Sequence, residues 1–215
     1  MRLRAITLAA IGVLAATLFA IPGCSDKTSR PDPCIAPPGS CTSPEAALLA
    51  LKQAYNTRAP AALDSLLSED FIFELSLEDA GHPGMPGAWG HGSELALHAL
   101  LLNAEYAQSL SLNFVFGPRV FDEAEQLWTI TVTNVDVDLY GTTPDHPTPM
   151  TYRVENSTAK FWFRPMTWNA PCSDESAWKI VKWRDEPVEE GQRRGPASSQ
   201  TDPTTWGLIK WLYLP

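Results

Sequence analysis

The chain has 215 residues, a formal net charge of −9, 44% hydrophobic residues and eight tryptophans. That apolar content supports one real core and excludes disorder of the whole chain. The acidic balance, with no Lys/Arg cluster beyond Gln192-Arg193-Arg194, argues against a nucleic-acid partner, because an acidic surface repels phosphate.

Arg2 and Arg4 precede an almost unbroken apolar run from Ala5 to Ile21, which ends in Pro22-Gly23-Cys24 and turns polar at Ser25-Asp26-Lys27. A basic start, an apolar middle and a small residue before a cut define a secretory signal over residues 1–23. Ile21-Pro22-Gly23-Cys24 resembles the bacterial lipobox, and the resemblance implies that Cys24 becomes a lipid-bearing N-terminus. The alternative is an uncleaved anchor, since at about 1.5 Å per residue the run approaches a bilayer span. Both alternatives leave the positive flank inside and the remaining chain outside the cytoplasm, at the bacterial cell envelope. Without Arg2 and Arg4 the secreted part carries 14 basic against 25 acidic residues, a net charge of −11.

Residues 24–42 read as a polar, proline-rich tether. In an oxidising compartment one pair among Cys34, Cys41 and Cys172 is expected to form a disulfide. Cys34 and Cys41 would close a tight loop through Pro37-Pro38-Gly39, contributing about 2–3 kcal/mol by chain entropy. Cys172 paired to either one would instead staple the N-terminal segment to a late loop. The cysteine spacing argues against zinc.

The domain is expected over residues 43–186. Ser43-Pro44-Glu45 reads as a helix start, with Leu48, Leu51 and Tyr55 on its apolar face. Pro60 restarts a short helix through Leu63, Leu66 and Leu67. Ser68-Glu69-Asp70 then turns the chain into a strand, Phe71 to Leu75. A long Gly-, Pro- and His-rich loop, Asp79 to Gly92, contains Trp89. Ser93 is the expected cap of a third helix bearing Leu97, Leu100 and Leu101.

Beyond it the pattern alternates as in strands. Leu112, Phe114 and Phe116 share a face, and Gly117-Pro118 reads as a turn. From Gln126 to Tyr140 the apolar positions are even at Trp128, Ile130 and Val132 but odd at Val135, Val137 and Leu139. This change of parity predicts a bulge near Thr133-Asn134, with one extra residue bending the strand. After a proline-rich loop, Gly141 to Met150, strands are expected at Thr158–Arg164 and Ala177–Arg184. The latter reads with Trp178 and Ile180 on one side, Val181 and Trp183 on the other. Residues 187–215 read as a polar linker followed by a short amphipathic helix around Trp206-Gly207-Leu208-Ile209-Lys210-Trp211, docked on the domain because its aromatics need cover.

The Ser43-Pro44-Glu45 helix with Leu48, Leu51 and Tyr55, the run Leu66-Leu67-Ser68-Glu69-Asp70-Phe71 and the closing strand Ala177-Trp178-Lys179-Ile180-Val181-Lys182-Trp183 resemble the nuclear transport factor two-like superfamily, which includes ketosteroid isomerases and polyketide cyclases. The resemblance implies an α+β cone in which about three helices close over a strongly curved antiparallel sheet, with a pocket at the wide end. Overlaid on the isomerase pattern, the catalytic tyrosine position falls on Leu51 and the aspartate position on Leu75. Isomerase roles are therefore not carried over.

Asp136 and Asp138 share a face beyond the bulge and are candidate bases if that face looks into the cone. Tyr55 and Trp89 are candidate ligand-lining residues, against the simpler reading that they are core. His82, His91, His98 and His146 lack metal-ligand spacing, and neither a metal nor a cofactor is expected. The expectation is a membrane-tethered extracytoplasmic domain that binds a small molecule or a protein without catalysis. The alternatives are an acid–base enzyme acting on a small apolar substrate, and a structural envelope protein that pairs as a homodimer through its sheet face.

Overall fold

The computed structural model describes residues 41–77, 79–81, 84–167, 176–186 and 205–214. Helix α1, Pro44–Thr57, starts where its cap is: the Ser43 side chain accepts from the Ala46 N–H at 3.1 Å, and Pro44 occupies the first turn. It ends at Arg58, which adopts the left-handed conformation (φ 53°) and donates its N–H to the last turn. Helix α2, Pro60–Leu66, follows at once and buries Leu63 and Leu66.

Strand β1 runs Leu67–Glu74, so Ser68-Glu69-Asp70, read as a turn, is strand. Its register against the neighbouring strand shifts between Leu67 and Ile72, which absorbs the polar residues without breaking the strand. Within the long loop expected next, a 3-10 turn at Asp79–Gly81 and a short strand β2, Ala88–Gly90, are formed. β2 pairs with β1, placing Trp89 opposite Phe73. Helix α3, His91–Leu101, begins two residues before the expected Ser93 cap; Gly90 is its N-cap and supplies no side-chain hydrogen bond.

Strand β3, Ala107–Asp122, does not turn at Gly117-Pro118. The Phe116↔Val132 and Arg119↔Ile130 pairs instead enclose one extra residue, a bulge that lets the strand continue. Strand β4, Leu127–Gly141, carries the bulge expected at Thr133-Asn134. Val132 pairs with Ala159 and Val135 with Ser157, and Asn134 has φ 50°, a conformation asparagine tolerates well. Ile130, Val132, Val135, Val137 and Leu139 are all buried across the parity change.

Strand β5, Met150–Thr167, is longer than expected, and β6, Ser176–Glu186, lies beside it. A further bulge corrects the sequence reading of β6. Phe163 pairs with Ile180 while Trp162 pairs with Lys182, so Val181 is the extra residue. Ile180 and Trp183 therefore face the core together, rather than opposite sides. The sheet order is β2-β1-β6-β5-β4-β3. It is mixed rather than wholly antiparallel, because β1 pairs with β6 in parallel.

The inner face of this bent sheet meets α1, α2 and α3 in one cluster built on Leu48, Leu51, Phe71, Phe161 and Phe163. Each such side chain contributes about 1.5–3 kcal/mol by leaving water. Helix α4, Trp206–Trp211, capped by Thr205, closes the cone and buries Trp206, Ile209 and Lys210. The chain enters at Cys41, whose carbonyl accepts from the Trp178 N–H at 2.9 Å. Cys41 is disulfide-bonded to a cysteine outside the described residues, where Cys24, Cys34 and Cys172 all lie.

Candidate functional site: a buried polar chamber under the C-terminal helix

Most of the cone is filled by its own side chains. The cavity left by Leu51, Leu112, Phe114, Val132, Val135, Ala159, Phe161 and Trp183 is about 10 Å³, room for no more than one water-sized sphere.

Next to this apolar packing lies a group of charged residues with no solvent contact. Lys210 and Glu94 are each 0% exposed and form a direct ion pair between Nζ and Oε1. The Lys210 ammonium sits 3.3 Å from the Trp183 ring centroid and 3.8 Å from that of Phe73. The other Glu94 oxygen accepts from Trp89 Nε1 at 2.5 Å, and the Trp89 ring stacks on Phe73 with centroids 4.4 Å apart.

One helical turn along α3, His98 Nδ1 lies 2.7 Å from the Glu94 carbonyl oxygen. A carbonyl only accepts, so Nδ1 carries the proton and Nε2 takes a hydrogen bond from the Tyr55 hydroxyl. Asp185, at the end of β6, accepts from the Gly207 N–H and from Trp183 Nε1. Asp79 accepts from Ser76 at 2.8 Å and from Thr205 at 2.7 Å, tying the start of α4 to the 3-10 turn.

Local sequence explains why α4 fits here. A Cβ on Gly207 would lie 2.4 Å from Leu75 Cδ2 and 2.8 Å from Asp185 Oδ2, so only glycine allows this approach. Trp206 packs edge-on against Tyr55 at 5.2 Å, while its buried Nε1 reaches no acceptor at normal hydrogen-bond geometry. Tyr213 donates its hydroxyl to the Thr142 carbonyl at 2.7 Å.

Burial sets the protonation states. It pushes His98 down to about 4, more than the attraction of Glu94 raises it, so the imidazole is neutral. Burial pulls Lys210 down and Glu94 pulls it back up. For Glu94, burial raises the pKa, but the Lys210 charge, His98 and the hydrogen bonds from Lys210 and Trp89 together outweigh this and hold the carboxyl below its usual range. Burial also pushes Asp185 up to about 7 against the pull of Lys210. Tyr55 is raised well above the ordinary phenol range, first by burial and then by the Glu94 charge; hydrogen bonding to the Trp206 side chain offsets only part of this. The chamber thus holds one ion pair, one neutral Tyr–His pair and one aspartate that exchanges its proton near neutrality.

The structure distributes the residues singled out from sequence unevenly. Tyr55 and Trp89 are both buried and meet this chamber from opposite sides, joined through His98 and Glu94. Asp136 and Asp138 lie on the other face of β4, so the base role, which needed them to look into the cone, has no geometry to support it. Asp138 pairs with Arg153 at 2.6 Å, and Asp136 accepts from the Asn156 N–H at 2.9 Å. His91 Nε2 lies 3.4 Å from Asp64, and His146 donates its N–H to Thr143; His82, Cys24 and Cys34 lie outside the described residues. Among the described residues no group of three or more His, Cys, Asp or Glu could hold a metal ion.

Sequence reasoning missed Glu94, Asp185 and Lys210, and considered His98 only as a metal ligand. The available signals were Glu94 and His98 one turn apart on an apolar helix, and a lone lysine in the aromatic segment Trp206–Trp211.

The element order and the helices packed on a bent mixed sheet form an α+β cone, the fold that the sequence resemblance implied, with a short C-terminal helix added. No protein-family profile and no curated protein matches the sequence. Solved structures similar to it include an uncharacterised protein with a cystatin-like fold from Caulobacter vibrioides, 14% identical, covering 68% of this chain and 88% of that one, TM-score 0.44. Another is a nuclear transport factor two-like protein of unknown function in nutrient uptake from Rhodospirillum rubrum, 18% identical, covering 66% and 96%, TM-score 0.39. A putative polyketide cyclase from Xanthomonas campestris is 17% identical, covering 67% and 89%, TM-score 0.43. Identities this low say nothing about activity.

Proposed function

We propose that this is a lipid-anchored, extracytoplasmic domain of the bacterial cell envelope that works by binding rather than by catalysis. One observation carries the reading: the space between α1, α3, β1 and β6 is filled by buried Trp206, Ile209, Lys210 and Tyr213 of its own chain. The buried carboxyl groups Glu94 and Asp185 are engaged by α4 and Asp79 by its cap Thr205, and the tyrosine and histidine are engaged with each other. Acid–base catalysis on a small apolar substrate would therefore require α4 to leave first. The lipobox-like Ile21-Pro22-Gly23-Cys24 supports the anchor, and no helix among the described residues is long and apolar enough to cross a membrane.

Membrane fractionation of the wild type and Cys24→Ser tests the anchor. The wild type is expected in the membrane fraction and the variant in the soluble fraction; retention of both would overturn it. Homodimerisation through the sheet face, the remaining reading, is supported by Val115, Phe116, Val120 and Phe121 of β3, which are exposed. Sedimentation across a concentration series tests it, since a strictly monomeric protein contradicts it.

A further inference from the structure

The groups that surround the Lys210 ammonium have a common property: none belongs to α4. Phe73 comes from β1, Glu94 from α3 and Trp183 from β6, while Trp89, which fixes Glu94, comes from β2. Two aromatic faces and one carboxylate, itself fixed by the Trp89 N–H, form a cation-binding constellation that is complete without the helix that fills it. Asp185 adds a second carboxyl whose charge also acts on Lys210.

In contrast, α4 has the character of a guest. It spans only Trp206–Trp211, too short to be a stable helix alone, and residues 187–204 separate it from β6. The buried indole N–H of Trp206 reaches no acceptor at normal hydrogen-bond geometry. Docking by apolar contact alone would need no buried charge, since apolar replacements of buried ion pairs are often neutral or stabilising. The ammonium is thus the part of α4 that the chamber recognises, and the aromatic residues beside it are the body that carries it.

We propose that the chamber is a binding site for a primary ammonium group on an apolar body, with α4 as its resident occupant, displaced when such an amine competes. This rests on the reading of the domain as a binding module. The same chemistry is offered by a free aliphatic amine and by a lysine side chain of a partner.

The test uses the full-length protein in detergent, with Lys210→Ala to empty the ammonium position and n-butylamine to refill it. At ten times its Kd, butylammonium is expected to raise the melting temperature of Lys210→Ala by roughly 3–6 °C, while n-butanol has no such effect. Adding Glu94→Gln to the variant should abolish the response. Equal responses to amine and alcohol, or none to the amine into the tens of millimolar, would overturn the site. Should Lys210→Ala not fold, hydrogen exchange on the wild type decides: butylammonium must speed exchange at residues 206–211 and leave β4 and β5 unchanged, and an unchanged α4 refutes the proposal. A stronger response to Nα-acetyl-lysine amide than to butylamine assigns a partner's lysine; the reverse assigns a free amine. Recovery of the amine unaltered separates this site from the broader reading, because conversion of the amine would sink the non-catalytic function and leave the site standing.

Discussion

The cone has two halves, equally dry and held together differently. Beneath α1, Leu51, Leu112, Phe114, Val132 and Phe161 meet with almost no space between them, and what holds them is area removed from water. Beneath α4, Glu94, Lys210, His98, Tyr55 and Asp185 are just as buried, and each depends on specific polar partners. Trp183 belongs to both halves, lining the apolar cavity while its ring covers the Lys210 ammonium. Losing a methyl group in the first half costs in proportion to the space left. Losing one partner in the second strands a buried charge.

The largest effect is therefore expected from Glu94→Ala, which leaves Lys210 unpaired and should cost about 3–5 kcal/mol in denaturant unfolding. The double variant Glu94→Gln/Lys210→Met should recover most of it, and a failure to recover would show that the two charges do not act as a pair. Leu51→Ala probes the other half. It should cost about 3 kcal/mol by cavity formation, without selectively loosening α4 in hydrogen exchange. Gly207→Ala sharpens the contrast from the opposite direction. Its methyl meets Leu75 and Asp185, so a loss of about 1–3 kcal/mol is expected, with faster exchange confined to α4. If exchange rises equally in β4, the two halves are one cooperative unit.

The fourth effect is a pH dependence. The Asp185 carboxyl is raised from 3.8 to about 7, so between those values the unfolded chain gives up a proton that the folded chain keeps. Its contribution to stability is fully present below about pH 4 and falls as pH rises, by at most about 1.4 kcal/mol per unit, until about pH 7. Lys210, Glu94 and Asp79 also face this region, so the clean comparison is between stability slopes of the wild type and Asp185→Asn, and parallel slopes would contradict the assignment. The smallest effect belongs outside: Asp138→Asn breaks only an exposed pair with Arg153 and should stay within about 0.5 kcal/mol.

The two halves also differ in how far the sequence discloses them. The bulge at Thr133-Asn134 is readable because strand periodicity is strict, and one extra residue must exchange the faces of everything after it. The same logic fails in β6, where Val181 is the extra residue but apolar residues stand on both sides and hide the switch. The Ser43 cap is readable because its partner is three residues away. Ser93 misleads, since Gly90 can begin α3 without a side-chain cap once β2 positions it. Glu94 and Lys210 each read alone as ordinary solvated charges, and nothing local to either announces the other. The Asp136 and Asp138 pair shows the reverse: two carboxylates on one face attract attention in a sequence, and the pleat turns both of them outward.

The ion pair joins residues 116 positions apart. Closing so long a loop is entropically costly, and local contacts among the helices and hairpins form sooner. Pairing β1 with β6 spans nearly the same separation, so seating α4 adds little loop-closure cost once the sheet has closed, and Glu94 stays hydrated until Lys210 reaches it. A folding measurement that responds to Lys210 and not to Leu51 would show that α4 seats separately from the apolar half, and would read out the strength of that latch.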